Sequence, residues 1–209
     1  NEILDADGNL QENYLDDVWK SADGISWTQV SPSAEYYSRS QHSMLVFNNQ
    51  LWMLGGVTTD PDTNSQVLLG DSWTSSNGAN WTEKSQIAAF TPRRAPVAAV
   101  FNNNLYVIGG YGVDSLDTTK MRPLNDIWNT TNGNTWVRTS AGALFPGRFG
   151  AGCTVFNSRL CLWSGQSLDS GGWNLLYNDV WASTDGNTWV QNQANGATLN
   201  AFSPRSFSG

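Results

Sequence analysis

The chain has 209 residues and a formal net charge of -7, and no block of basic residues offsets this charge. The charge argues against nucleic acid or an anionic membrane surface as a partner, because both attract clustered lysine and arginine. No stretch of about 18 apolar residues predicts a membrane span, and the many tryptophans and few lysines favour an extracellular or cell-surface β-protein.

The sequence contains an internal repeat of about 54 residues. Its clearest element is a hairpin in which two apolar strands flank a two-residue turn and end in a glycine pair, as in Phe47–Gly56. The hairpin recurs at Phe101–Gly110 and, with Ser164 replacing the first glycine, at Phe156–Gly165. The repeat predicts one domain of similar units.

Three further columns recur in phase with the hairpin. An arginine opens each unit, an Asp-x-Trp step follows the hairpin, and a second tryptophan lies eight residues after the first. The members are Arg39, Arg93, Arg148 and Arg205; Asp17/Trp19, Asp71/Trp73, Asp126/Trp128 and Asp179/Trp181; and Trp27, Trp81, Trp136 and Trp189.

Each unit predicts four short strands, a to d, because its apolar runs alternate with turn residues and show no helical periodicity. In the first whole unit, strand a spans Ser43–Phe47, strand b spans Leu51–Leu54 and strand c carries Asp71–Trp73. Asn48-Asn49 and Asn77-Gly78 supply the turns, since asparagine and glycine tolerate positive φ. In chain order, the segments are 1–38 (strands c and d), 39–92, 93–147 and 148–204 (whole units), and 205–209 (the start of a strand a).

The arginine, the Gly-Gly hairpin, the Asp-x-Trp step and the downstream tryptophan together resemble the kelch repeat of β-propellers, over essentially the whole chain. The turn Asp185–Trp189 also resembles a shortened Asp-box of sialidase-like propellers. The resemblance implies an all-β propeller of four-stranded antiparallel blades, with strand a lining a central channel. The eight column tryptophans are then expected to pack between blades, each contributing about 2 to 3 kcal/mol.

The chain supplies just under four blades, which cannot close a propeller. An open wedge exposes apolar faces. We therefore expect it to belong to a propeller of six or seven blades, whose remainder comes from the same longer chain or from another chain.

The two cysteines lie on the two arms of the third hairpin. A two-residue turn at Asn157-Ser158 pairs Thr154 with Cys161, which places Cys153 and Cys161 on opposite faces of the sheet. A disulfide needs facing Cβ atoms about 4 Å apart. Two free thiols are therefore predicted.

Three connections between strands b and c are predicted as long loops, at residues 57–70, 111–125 and 166–178. Long loops on a rigid scaffold often carry function. Trp173 and Tyr111 are candidates for stacking on a sugar or contacting a partner. Asp114 and Asp117 are candidate acidic binding residues.

Two roles are open for the arginine column. Arg39, Arg93, Arg148 and Arg205 would surround the channel entrance, where they would hold a carboxylate or sulfate. Alternatively, they tie neighbouring strands together through hydrogen bonds to backbone carbonyl groups, as a residue that recurs in every unit more often does.

Metal and cofactor chemistry is not predicted. His42 is the only histidine, whereas galactose-oxidase-like propellers, which share this frame, need several imidazole ligands. Asn80 and Asn129 begin Asn-x-Thr triplets, which are glycosylation sites if the protein is secreted by a eukaryote.

These features favour a non-enzymatic extracellular propeller that binds a protein or glycan through the loop face, or forms a unit of a surface assembly. The alternative is a carbohydrate-active enzyme, sialidase-like, lyase-like or a sugar epimerase, using the channel arginines with Asp114 or Asp117. An enzyme needs carboxylates converging beside the arginines, whereas a binding module needs a broad aromatic surface.

Overall fold

The computed structural model describes residues 2–4, 10–12, 14–86, 88–114, 117–140, 143–172, 174–196 and 203–205. Within these ranges the protein consists of β-strands, turns and irregular segments, without a helix. In chain order the strands are β1 (Glu2–Leu4), β2 (Leu10–Glu12), β3 (Val18–Lys20), β4 (Thr28–Ser31), β5 (Ser43–Phe47), β6 (Gln50–Thr59), β7 (Gln66–Ser75), β8 (Thr82–Ser85), β9 (Arg93–Arg94), β10 (Val97–Phe101), β11 (Asn104–Asp114), β12 (Asp117–Thr130), β13 (Val137–Ser140), β14 (Gly152–Phe156), β15 (Arg159–Trp163), β16 (Gln166–Leu168), β17 (Asn174–Leu176), β18 (Val180–Ser183) and β19 (Val190–Gln193).

The described strands form several antiparallel sheets, none of which closes on itself. The three large sheets have the strand orders β5-β6-β7-β8, β10-β11-β12-β13 and β14-β15-β18-β19, and β9 pairs with β11 beside the second. The pairs β1-β2, β3-β4 and β16-β17 are two-stranded. The all-β fold with four antiparallel strands per unit is therefore confirmed for the three large sheets.

The inner hairpin of each large sheet has the predicted two-residue turn. Phe47 pairs with Gln50 across the first turn, and Asn48 and Asn49 adopt φ values of 49° and 61°. The second and third hairpins repeat this geometry. In the third, Thr154 pairs with Cys161, and both cysteines are free, as predicted.

The connections predicted as long loops are mostly β-hairpins, so that prediction is wrong. β6 continues to Thr59 and β7 begins at Gln66, while β11 and β12 leave only two residues between them. The third connection contains the hairpin β16-β17. A register shift beside Gly55 or Gly109, each with positive φ, lets the first two ladders continue past the glycines. Backbone pairing, rather than apolar alternation, forms these extensions, which is why the sequence pattern did not indicate them.

Consecutive large sheets pack against each other through aromatic clusters. The cluster between the first and second large sheets includes Phe47, Trp52, Trp128 and Trp136. The cluster between the second and third includes the equivalent residues Phe101, Tyr106, Trp181 and Trp189. The first strands β5, β10 and β14 are also neighbours in turn. The first strands of the three large sheets therefore lie side by side, and the sheets follow one another in chain order.

Six of the eight column tryptophans are buried as predicted, with 3% to 9% of their surface exposed. The prediction is wrong for Trp19 and Trp27, which are 49% and 58% exposed. They belong to the β3-β4 unit, and no described sheet covers that side of it. Their exposure thus follows from the lack of a neighbouring sheet within the described chain.

The turn glycine of one unit packs on the second strand of the preceding unit, which gives a test of the inter-sheet contact. A Cβ on Gly133 would lie 1.8 Å from the Trp52 ring, whereas a Cβ on Gly78 would lie 3.5 Å from its nearest neighbour. The two glycines have φ values of 75° and 76°.

We expect Gly133→Ala to lower the free energy of unfolding by about 1 to 3 kcal/mol more than Gly78→Ala. Both substitutions carry the same left-handed backbone strain of about 1 to 2 kcal/mol, so the difference reports the collision with Trp52. Urea denaturation followed by tryptophan fluorescence measures both variants. Equal losses would contradict the packing described.

Candidate functional site

Three arginines of the repeated column are buried and bind the aspartate of their own unit's Asp-x-Trp step. Each guanidinium donates two hydrogen bonds to that carboxylate, at 2.6 to 2.9 Å. The pairs are Arg39 with Asp71, Arg93 with Asp126 and Arg148 with Asp179.

The same guanidinium groups also bind backbone carbonyls. Each Nη1 donates to the carbonyl group at the first position of the Gly-Gly pair, at Gly55, Gly109 and Ser164. Each Nε donates to a carbonyl two residues earlier. The aspartate Oδ2 in turn accepts a 2.7 Å hydrogen bond from the indole of Trp73, Trp128 or Trp181.

This geometry matches the strand-tying role of the column. Arg39, Arg93 and Arg148 are 4%, 0% and 1% exposed, and their donors point at internal oxygen atoms. They do not form an open anion site. Arg205 has the same backbone position, since its amide donates to Tyr177 and its carbonyl accepts from Gly165, but its side chain is exposed.

A groove of 340 Å³ lies between the β6-β7 hairpin and the β11-β12 hairpin. One wall comes from β7 and the other from β9 and β11, with Met121 of β12 beside them. The lining residues are Gln66, Val67, Leu68, Pro92, Arg94, Tyr111, Val113 and Met121. Arg94 is the one charged residue among them.

Arg94 and Tyr111 form the polar and aromatic part of this groove. They are paired residues of β9 and β11, and the Arg94 guanidinium carbon lies 5.0 Å from the centre of the Tyr111 ring. Nη1 of Arg94 donates to the side-chain oxygen of Gln66 at 3.3 Å, and its buried Nε has no hydrogen-bond partner among the described residues. The ring of Phe149 contacts Tyr111 edge-on at 5.4 Å. The cation is thus held in place while part of its donor capacity remains unused.

The predicted candidates Tyr111, Asp114 and Asp117 share the β11-β12 hairpin. Tyr111 lines the groove, and Asp114 and Asp117 are paired backbone positions at the end of this hairpin. Trp173 lies outside the described residues.

Sequence reasoning missed Arg94 because it adjoins the column residue Arg93. The signal was available, since the equivalent positions hold Ser40 and Phe149 rather than arginine.

The two glycosylation triplets differ in accessibility. Asn80 is exposed in the turn before β8. Asn129 is half-buried within β12, where it pairs with Tyr106 of β11. Asn80 is therefore the better placed of the two for a glycan.

His42 lies just before β5. Burial is the main cause that lowers its pKa to about 4, and the nearby Arg39 adds to the effect. Its Nδ1 is buried without a hydrogen-bond partner among the described residues. The imidazole is thus neutral in the folded protein near neutral pH.

A second cavity of 340 Å³ lies between β7, β8 and the segment that follows β4, and its acidic lining includes Glu35, Asp71 and Glu83. Asp71 is already paired with Arg39, and a carboxylate oxygen of Glu35 accepts the backbone N–H of Trp81 at 2.9 Å. Two of the three carboxylates in this cavity are therefore already bound to other groups of the protein. In the described part of the chain, no three His, Cys, Asp or Glu side chains are grouped to hold a metal ion.

No protein-family model matches the sequence, and no curated protein matches it. Among solved structures, the fold is similar to one described as the structure of YjhT, with a TM-score of 0.63 and 15% sequence identity. The similarity covers 84% of this chain and 57% of the YjhT chain. At this identity the likeness concerns the fold alone. The described segments include no helix that is long and apolar enough to span a membrane.

The buried ion pairs predict a large effect of neutralising one partner. We expect Asp126→Asn to lower the free energy of unfolding by about 3 to 5 kcal/mol, because it leaves the buried Arg93 charge uncompensated. The matched control is Asp62→Asn on the exposed β6-β7 hairpin, where a change within about 0.5 kcal/mol is expected. Urea denaturation of both variants measures the difference, and a similar small loss in each would contradict a stabilising network.

Because His42 is buried as a neutral imidazole, we expect the protein to lose stability in mild acid. Its pKa is about 4 when folded and 6.5 without burial, so the unfolded chain binds the proton first as the pH falls. The contribution is fully present above pH 6.5 and falls by up to about 3 kcal/mol as the pH drops towards 4.

We expect His42→Gln to flatten this part of the stability profile. Urea denaturation at pH 7.5, 6.0, 5.0 and 4.0 compares the variant with the parent protein. Parallel profiles for the two proteins would rule out His42 as the source of the acid sensitivity.

Proposed function

We propose that this protein is a segment of a kelch-type β-propeller that acts as a non-enzymatic binding module. Three observations support the propeller: the repeated four-stranded sheets, the aromatic packing of each sheet on the next, and the neighbouring first strands β5, β10 and β14. The fold similarity to YjhT supports it further. In this proposal the large sheets are blades, and β5, β10 and β14 line the central channel.

Further blades cover the two end faces in this proposal. Phe156 is 64% exposed on the last sheet, whereas its counterparts Phe47 and Phe101 are 3% and 5% exposed beneath the next sheet. Trp19 and Trp27 show the same contrast at the other end. The residues exposed on each end face are thus the counterparts of residues that are buried where one sheet packs on the next. Additional units of the same kind would bury both end faces.

The binding site of this module is the groove beside Tyr111, on the face that carries the long hairpins. The groove combines an aromatic ring, exposed apolar side chains and a half-buried cation, and these are features of recognition sites rather than of packing. A protein segment or a glycan is the proposed ligand. The extracellular location remains part of the proposal, supported by the composition and by the exposed triplet at Asn80.

The arrangement of the arginines favours binding over catalysis. A carbohydrate-active enzyme of the kind considered above uses channel arginines next to free carboxylates. Here Arg39, Arg93 and Arg148 are engaged in internal ion pairs, and the lining residues of the Tyr111 groove whose side chains the structure describes include no carboxylate.

The test uses two probe collections, a random-peptide display library and a glycan array, applied to the same purified protein. We expect ligands from at least one collection, and we expect Tyr111→Ala to weaken their binding about tenfold or more by removing a central aromatic contact. Tyr37→Ala, at a 72% exposed tyrosine outside the groove, is the control and should leave the affinity unchanged. Ligands that bind equally well to the Tyr111→Ala variant, or no ligand in either collection, would contradict the proposal.

A further inference from the structure

The β3-β4 sheet carries the aspartate and the tryptophan of the arginine network. Asp17 lies directly before β3, and its Oδ2 accepts a hydrogen bond from the indole of Trp19 at 2.7 Å, the same distance as in the three large sheets. Gln29 donates to the same oxygen atom at 3.5 Å. The Asp17 carboxylate is therefore oriented by the contact that orients its three counterparts.

The second oxygen atom of this carboxylate is accessible to solvent. Asp17 is half-buried, and its Oδ1 accepts no hydrogen bond from any described residue. In Asp71, Asp126 and Asp179, the same atom accepts a hydrogen bond of 2.6 to 2.7 Å from Nη1 of an arginine. Asp17 thus presents the acceptor that binds a guanidinium group in each large sheet.

The inner edge of β3 is open beside this carboxylate. β3 pairs with β4 in the same register as β18 pairs with β19, including the shift after the first residue. On its other side, β18 forms four residue pairs with β15, whereas no described strand pairs with the corresponding side of β3. An open strand edge offers backbone N–H and C=O groups to an added strand.

The β3-β4 sheet packs on the first large sheet as one unit packs on the next. Val18 contacts the aromatic cluster on that side of the first large sheet. The carbonyl group of Leu15 accepts the backbone N–H of Arg39 at 3.3 Å. Leu124 and Arg148 make the same contact between the second and third units, at 2.9 Å. β3 and β4 therefore occupy the places of a third and a fourth strand, and the open edge lies where the complete units have their second strand.

A hairpin that begins with an arginine fits both features. In the third large sheet, Arg148 supplies the guanidinium group for Asp179, and β15 of the same hairpin pairs with β18. The two parallel N–H groups of a guanidinium match the two oxygen atoms of a carboxylate, whereas a lysine ammonium is a point charge. An arginine is therefore favoured over a lysine as the partner of Asp17.

We propose that Asp17 and the inner edge of β3 bind an arginine-bearing β-hairpin from a further unit of the propeller. The opening arginine of this hairpin pairs with both oxygen atoms of Asp17, and its second strand pairs with residues 18–21. The occupant has the pattern of the inner hairpins of this chain, because Arg39, Arg93 and Arg148 show how such a hairpin meets the aspartate. This inference rests on the propeller proposed above.

The first experiment adds a synthetic peptide of residues 39–56, which contains Arg39 and the first inner hairpin, to the purified 209-residue chain. We expect binding by isothermal titration calorimetry and slower hydrogen exchange of the backbone amides of residues 18–21. Arg39→Gln in the peptide, or Asp17→Asn in the protein, should each weaken binding about tenfold or more, because either removes a charge-assisted pair of hydrogen bonds. Asp62→Asn, at an exposed carboxylate on the β6-β7 hairpin, is the control and should leave the affinity unchanged.

A second experiment removes the dependence on the affinity of a short peptide. In a fused variant, a copy of residues 39–70 replaces residues 1–16, so that the copied arginine precedes Asp17 by the same number of residues as Arg39 precedes Asp71. Urea denaturation compares this variant with versions that carry Arg39→Gln in the copy, Asp17→Asn, or both. We expect each single change to lower the midpoint, and the double change to lower it by less than the sum, because the two side chains act as a pair.

The outcomes test this inference apart from the binding role of the Tyr111 groove. Additive losses in the fused variant would overturn it, as would peptide binding that Asp17→Asn leaves unchanged or that slows exchange only away from β3. If the peptide does not bind, the fused variant decides. Coupling at Asp17 without a ligand in either probe collection would leave this inference standing while the binding role fails, and ligands that need Tyr111 without coupling at Asp17 would do the reverse.

Discussion

The buried Arg–Asp–Trp contact is the interaction on which the rest of the structure depends. In each complete unit, one guanidinium makes four or five hydrogen bonds and joins the start of the unit to the first position of the Gly-Gly pair and to the Asp-x-Trp step. A buried ion pair contributes to a fold only when its remaining polar atoms are satisfied. Here the carbonyl groups and the tryptophan indole satisfy them.

This contact also connects each sheet to the next. The guanidinium carbons of Arg39, Arg93 and Arg148 lie 5.6 to 5.7 Å from the ring of Tyr36, Phe90 or Phe145. Those rings in turn meet the tryptophan before the fourth strand edge-on, at 5.1 to 5.4 Å between ring centres. The polar network and the aromatic core are therefore continuous, so a change in an arginine also disturbs the contact between units.

The sequence predicts the parts of this frame that recur, because repetition makes weak local signals visible. The two-residue turns at Asn48-Asn49 and the buried tryptophans follow from residue types whose backbone or burial preferences are strong. The pairing of Arg93 with Asp126 was not predicted, since the repeat shows that both positions recur but not that their side chains are in contact. The hairpin extension to Thr59 was missed because its ladder is made by the backbone, and Arg94 was hidden beside a repeated arginine.

The residues of the repeated frame and those of the groove proposed as a binding site are different. The Arg–Asp–Trp contacts of the frame use column residues, which have equivalents in the other units, whereas Arg94 and Tyr111 replace Ser40 and Val57 of the preceding unit and Phe149 and Gln166 of the next. We therefore expect loss of a column residue to lower stability, and loss of Arg94 or Tyr111 to weaken the binding that we propose. Because the hairpins extend from strands that the frame already fixes, a binding groove needs only a few unit-specific side chains on a backbone that is already rigid.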